Sequence, residues 1–199
     1  MKTQNKLLNI LVVSTLLLLP SITAKAAIIG YDVFLSGPNE SPANASPGTG
    51  FATIFLDNTL NTLSVNLSFT GLTGTTTASH IHATTAVAGA GTAGVATTTP
   101  TFAGFPLGVT SGTYNNVLDL TLASSYNSAY VTANGGSVAA SEAALLAAMA
   151  SGQAYLNIHT STFGGGEIRG FLTPVPEPSS VALLGLGGLA WVARRRKSA

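Results

Sequence analysis

The sequence predicts an all-β domain: an antiparallel Greek-key, immunoglobulin-like β-sandwich with one short helix, flanked by an N-terminal signal peptide and a C-terminal hydrophobic helix. Three observations carry that expectation. Several short segments alternate apolar with polar side chains, the period of a half-buried strand. Clusters of Gly, Pro, Asn and Asp punctuate them at close intervals. Only one internal segment, Ser141–Ala150, reads as a helix of useful length.

Ile29, Tyr31, Val33 and Leu35 form the first alternating run, which stops at the turn cluster Gly37-Pro38-Asn39-Glu40. Phe51, Thr53 and Phe55 then interleave with Ala52, Ile54 and Leu56, and Asp57-Asn58 turns the chain. Leu63, Val65, Leu67 and Phe69 alternate with Ser64, Asn66 and Ser68 until Gly71 and Gly74 end the run. These three read as a meander with one solvated face. A fourth strand centres on Ser79-His80-Ile81-His82. The uncharged Ala, Gly, Thr and Pro stretch from Ala83 to Gly108 reads as a long loop. Strand character returns between Thr113 and Leu122, and Ala123–Asn134 holds one helical turn at most. The helix Ser141–Ala150 has a serine to cap it, Glu142 at the positive end of its dipole, and Ser151-Gly152 to stop it. Strands Gln153–Thr160 and Glu167–Leu172 follow, joined through Gly164-Gly165-Gly166. The expected core is Leu63, Val65, Leu67, Phe69, Leu156, Ile158, Ile168 and Phe171, with Tyr155, Asn157 and His159 facing outward.

Both ends carry sorting information. Lys2 and Lys6 precede an apolar stretch from Leu7 to Leu19, Pro20 breaks it, and Ala24-Lys25-Ala26 supplies small residues for signal peptidase. Residues 1–26 therefore read as a signal peptide cleaved after Ala26. At the other end Val175-Pro176-Glu177-Pro178-Ser179-Ser180 leads into an apolar run, Val181–Ala193, then Arg194-Arg195-Arg196-Lys197. The prolines hold an extended linker, and the basic quartet belongs on the cytoplasmic side. The run rises only about 20 Å against a hydrocarbon core of roughly 30 Å, which suits a temporary anchor. This order of motif, apolar run and basic plug resembles the PEP-CTERM sorting signal of Gram-negative bacteria. The resemblance implies an exosortase-type processing protease as partner and transient anchoring in the inner membrane. It also implies a destination at the cell surface, outer membrane or extracellular matrix. The divisions are then 1–26, a domain at 27–173, and a sorting signal at 174–199.

Of the eight Lys and Arg residues in the chain, the 27–173 domain keeps only Arg169. Six acids face it: Asp32, Glu40, Asp57, Asp119, Glu142 and Glu167. A mildly acidic domain with no basic patch cannot neutralise phosphates, which excludes nucleic acid as a partner. With no cysteine, an exported domain must rest on its hydrophobic core alone.

Two groups of residues could carry chemistry. His80 and His82 lie two apart on a strand and share a face; His159 lies on a later strand, on the side away from the core. If those strands are neighbours, the imidazoles converge in a way that zinc and copper sites use. Otherwise they hydrogen-bond the adjacent loops. A fourth ligand would come from Glu167 or water, and affinity should fall below about pH 6.5 as imidazole protonates. The second group is Glu167 and Arg169, expected to form a structural ion pair, with Asp32 or Asp119 as alternative partners for the arginine. A substrate-binding arginine is the functional alternative. There is no nucleophile elbow, phosphate loop, dinucleotide fingerprint or arguable carboxylate pair, so a catalytic role is not expected.

Ser79-His80-Ile81-His82, then Ala154-Tyr155-Leu156-Asn157-Ile158-His159-Thr160, then Gly166-Glu167-Ile168-Arg169-Gly170 resemble the blocks of the chordin-domain (CHRD) family over roughly Tyr31–Leu172. Where that family usually follows His-Ile-His with Gly-Pro, this chain has Ala83-Thr84. In bacteria the resemblance implies a secreted domain. The expected function is a noncatalytic cell-surface or exopolysaccharide-associated role, in contact with polysaccharide or other surface proteins. The alternative is a zinc- or copper-binding secreted protein using the three histidines. Mass spectrometry of material from the native host should find a mature N-terminus near Ala27 and a C-terminus near Val175–Ser180. Surface protein still carrying Met1 would contradict the first step, and protein still carrying Lys197 the second.

Overall fold

In a computed structural model the described residues are 28–176. The signal peptide, the apolar run Val181–Ala193, and the motif residues Glu177, Pro178, Arg194, Arg195 and Arg196 lie outside them. Eight strands form one antiparallel sheet: β1 (Ile28–Ser36), β2 (Thr49–Asp57), β3 (Thr62–Thr70), β4 (Thr76–His82), β5 (Gly112–Asp119), β6 (Tyr155–Thr160), β7 (Ile168–Phe171) and β8 (Thr173–Pro174). Their order is β4-β6-β7-β1-β2-β3-β5, with β8 also on β1. The sheet curls as a half-barrel, sandwich-like fold around one core. The meander β1-β2-β3 pairs without a register break, Tyr31 opposite Ile54 and Ile54 opposite Val65. Tyr31, Val33, Leu35, Ala52, Ile54, Leu56, Leu63, Val65, Leu67 and Phe69 point into the core. Phe34, Phe51 and Phe55 stand on the solvated face.

From β3 the chain crosses to the opposite edge to make β4, then returns to add β5 beside β3. The 83–111 segment between them is a loop with a structural task. Ala96 and Thr97 N–H donate to the Ile81 carbonyl, Phe102 N–H to that of Ser79, and the Thr97 and Thr101 hydroxyls accept from Ile81 and Ser79 N–H. An edge strand that would otherwise expose a row of unpaired groups is thereby closed. Phe102 and Phe105 from the same loop enter the core.

The helical region is longer than its sequence pattern implied. Helix α1 (Ser128–Ala133) is capped by Asn127, and α2 (Val138–Ala150) begins three residues before Ser141. Ser137 is its cap, accepting from Ala140 N–H, whereas Ser141 is buried and donates its hydroxyl back to the Ser137 carbonyl. Ser141, four residues after the true cap, offers the same chemistry, which is why position alone misplaced it. Gly152, at φ 69°, ends α2 in the left-handed conformation that glycine adopts without strain.

One core assignment is corrected. Phe171 is only half-buried, and Leu172 points inward instead. Strand β7 is followed by β8 on the same edge of β1, and at Leu172 the chain turns its N–H to the Ala154 carbonyl. Leu172 keeps the parity of Ile168, so plain alternation already sets Phe171 on the other face, with Arg169 over its ring. Gly170 is required where β7 meets β1, because a Cβ there would overlap the Phe34 carbonyl. Leu172→Ala should therefore destabilise the domain by about 2–5 kcal/mol in urea unfolding, while exposed Val117→Ala should stay within about 0.5 kcal/mol.

Candidate functional site

Strand β6 lies between β4 and β7 and is buried on both faces. Leu156 and Ile158 face the core. Tyr155, Asn157 and His159 face the other way, as their alternation requires, yet Tyr155 and Asn157 are covered rather than solvated. Loops from 37–46 and 83–95 lie over this second face, contributing Asn39, Glu40, Gly91 and Ala93 to its contacts.

The three histidines meet there. His80 pairs in register with Asn157 and Ala78 with His159, which sets the His80 and His82 rings beside that of His159. Ring centroids are 4.8 Å apart for His80–His82, 4.7 Å for His80–His159 and 5.8 Å for His82–His159. His80 Nε2 lies 2.9 Å from His159 Nε2, and one ligand atom from each ring falls within 4.8 Å of the others. His82 Nδ1 donates to the Ala93 carbonyl and His159 Nδ1 to that of Gly164, each at 2.9 Å. Those bonds leave both Nε2 atoms as bare lone pairs. His159 Nε2 then accepts from His80 Nε2–H. His82 Nε2 and His80 Nδ1 are buried without a partner in the protein.

All three imidazoles are held neutral. Burial pushes His80 down to about 3, helped by His159 and His82. Burial lowers His82 to about 4, against the opposing pull of the Ala93 carbonyl. His159 is lowered too, again by burial. The protonation window expected near pH 6.5 therefore moves down toward pH 4.

Glu167 and Arg169, expected as a pair, are not one. Strand alternation would set them side by side, but β7 begins only at Ile168, and Gly166, at φ 130°, bends the chain just before. Glu167 instead turns into the loops. Its carboxylate accepts from the Ser46 and Thr160 hydroxyls, both at 2.6 Å, and from the Thr73 and Gly74 N–H groups. Burial alone would raise its pKa, yet these four donors hold it below the usual value without a cation. So engaged, it cannot be a fourth ligand, and no acid among the described residues joins the histidine group.

Arg169 pairs with Glu40, a residue the sequence pattern marked only as part of a turn. Nε lies 3.8 Å from Glu40 Oε2, with side chains 4% and 5% exposed. Nε also donates to the Asn39 carbonyl and Nη1 to that of Gly91 at 2.9 Å. The guanidinium sits over Tyr155, 4.7 Å from the ring centroid, and Tyr155 stacks on His82 with planes 4° apart. Tyr155 thus packs against both the fixed cation and His82, and the cation's charge adds to the lowering of the His82 pKa. Burial raises Glu40 to about 7, outweighing the attraction of Arg169.

A family model for the CHRD domain matches residues 31–172. The chain belongs to the CHRD family. A second model, the PEP-CTERM protein-sorting motif, matches residues 174–197. Within this CHRD protein the sorting motif begins at the last residues of the sheet, in β8, and Pro176 ends the described chain. The pair of matches makes this an exported, surface-associated protein of a Gram-negative bacterium, sorted through an exosortase. No curated protein and no solved structure matches the chain.

The pKa shifts fix opposite pH responses. Histidines lowered from 6.5 contribute stability that is full above pH 6.5 and is lost as pH falls toward 3–4. Each contributes a slope of up to about 1.4 kcal/mol per pH unit. Glu40, raised from 4.5 to about 7, works the other way, contributing stability below 4.5 that is lost as pH rises through 7. Glu40→Gln should therefore steepen the net fall in melting temperature from pH 7 to pH 4.5. An unchanged pH profile in that variant would show that Glu40 titrates as an exposed acid does.

Proposed function

We propose that this surface-sorted CHRD domain binds one transition-metal ion, zinc or copper, through the Nε2 atoms of His80, His82 and His159. The convergence of one ring nitrogen from each histidine within 4.8 Å, with two of the three rings oriented by backbone carbonyls, supports the reading. Metal-binding histidines characteristically donate their other ring nitrogen in this way. Bonds of 2.0–2.1 Å in a tetrahedral site imply nitrogens about 3.3 Å apart. The observed range, from the 2.9 Å contact to the 4.8 Å outer limit, brackets that spacing. On loading, the His80 proton would have to move from Nε2 to Nδ1, the ring nitrogen that has no partner in the protein. The three ligands are neutral, and Arg169 lies behind the Tyr155 ring rather than among them. Water would complete the set.

A second, compatible reading concerns the solvated face of β1, β2, β3 and β5. The exposed rings of Phe34 and Phe51 lie 4.9 Å apart there. Beside Phe51, the side chains of Thr53, Asn66, Ser68, Thr113 and Asn115 line a shallow uncharged groove. Aromatic rings beside hydroxyls and amides favour a neutral polysaccharide of the matrix over any charged partner.

Isothermal titration of the purified domain at pH 7 should give one site for zinc or copper. His82→Ala should lose at least about tenfold in affinity, and binding should persist to pH 5 because the imidazoles stay neutral. Absence of heat with both metals ends the metal reading and leaves the matrix reading standing.

A further inference from the structure

We propose that, while the precursor is anchored, the domain rests on a zwitterionic lipid surface through the rim at the Ile28 end of its sheet, with the histidines held at the opposite end. The inference rests on Val181–Ala193 being the membrane anchor, and does not depend on metal binding.

Strand β8 pairs with the beginning of β1. Tyr31 is opposite Pro174, Asp32 is opposite Thr173, and Val175 N–H donates to the Gly30 carbonyl at 2.9 Å. The segment that follows the signal peptide and the one that leads into the sorting motif therefore leave the domain side by side. Only residues 177–180 separate Pro176 from the apolar run. Four residues at full extension span at most about 14 Å. The headgroup region on each side of a bilayer is about 5–8 Å deep. An anchored precursor thus keeps this end of the sheet close to the lipid surface.

That end is also where apolar side chains collect. Ile28, Asp57, Thr62 and Asp119 share one row of the sheet. Around that row Ile28 is 56% exposed, Leu60 in the β2–β3 turn 67%, and Leu122 just beyond β5 51%. Phe55 and Val175 flank Gly30 and, with Ile28 and Pro176, line a groove of about 350 Å³. Five of the ten exposed large hydrophobic residues in the described chain are gathered here, too many for scattered surface positions.

The charges choose the lipid. No lysine or arginine of the described residues lies at this end, whereas Asp32, Asp57 and Asp119 do. Asp57 accepts from the Thr59 and Leu60 N–H groups and Asp119 from Thr121, so both carboxylates are fixed in their turns. Fixed anions without a cation disfavour an anionic surface. The histidines are far from this contact. His80 faces Asn157, Asn157 faces Arg169, and Arg169 faces Ser36, eight residues along β1 from Ile28. At the rise of a strand that is about 27 Å.

The chain has no cysteine, so single labels are easily placed. The full chain carrying Leu60→Cys or Gly165→Cys, each with an environment-sensitive fluorophore, is reconstituted into phosphatidylcholine vesicles containing nitroxide-quencher lipids. Gly165 lies in the β6–β7 loop at the histidine end, with open space around it. The Leu60 label should shift to the blue and be quenched, the Gly165 label should do neither, and replacing half the lipid with phosphatidylglycerol should weaken the Leu60 quenching. Flotation of the same samples separates the two readings. A chain that floats with an unquenched Leu60 label overturns the docking alone. One that does not float overturns the anchor and the docking with it. Stronger quenching on anionic vesicles would overturn the choice of lipid.

Discussion

Burial of β6 on both faces is the constraint from which the rest of this structure follows. A strand with one solvated face can leave its polar side chains to water. This one cannot, because the core closes one side while the 37–46 and 83–95 loops close the other. Every polar group on the second face must therefore find a partner inside the protein or remain without one. Tyr155, Asn157 and His159, with His80 and His82 from β4 and Arg169 from β7, are the groups affected. Neutral imidazoles cost less to bury than charged ones, and burial is what depresses their pKa values. The same burial leaves His82 Nε2 and Asn157 Oδ1 unpartnered. Such atoms are uncommon in folded proteins, and on this face they lie among residues able to bind a ligand.

The two buried ions are accommodated by different means. Glu167 is surrounded by four neutral donors and needs no counter-ion. It ties the loops at Ser46 and at Thr73–Gly74 to the end of β6, so its task is to hold the β6–β7 turn and, through it, the Gly164 carbonyl that orients His159. Arg169 is held by two carbonyls, two aromatic faces and the distant Glu40. Its donors anchor the loops at Asn39 and Gly91, and the Gly91 contact fixes the segment that presents the Ala93 carbonyl to His82. Neither ion touches the histidines, yet both position the backbone groups that set the imidazole tautomers. The Tyr155 ring keeps the guanidinium out of the cluster, although its charge still helps to lower the His82 pKa.

Much of this was legible in the sequence. The alternation of Leu63, Val65, Leu67 and Phe69 is long and regular, so its face and register could be read directly. The same rule placed His80, His82 and His159 on the second face, since side-chain direction in a paired strand depends only on parity. Parity fails where pairing stops, as at Glu167, which precedes β7. Phe171 was misread against parity itself, for it shares a face with Arg169 while Leu172 shares that of Ile168. The cap of α2 was misplaced because Ser137 and Ser141 offer the same chemistry one turn apart. Glu40 was invisible as a partner for Arg169, for no local pattern connects a turn acid to a strand many residues away. The covering of the second face was equally hidden, because the loop over it carries no periodicity at all.

The neutral, fixed tautomers of the three imidazoles are the central claim, and long-range proton–nitrogen correlation NMR of the metal-free domain at pH 7 reads them directly. The account predicts three neutral rings, with the proton on Nδ1 in His82 and His159 and on Nε2 in His80. A charged imidazolium at pH 7, or a proton on Nε2 of His82, would contradict it.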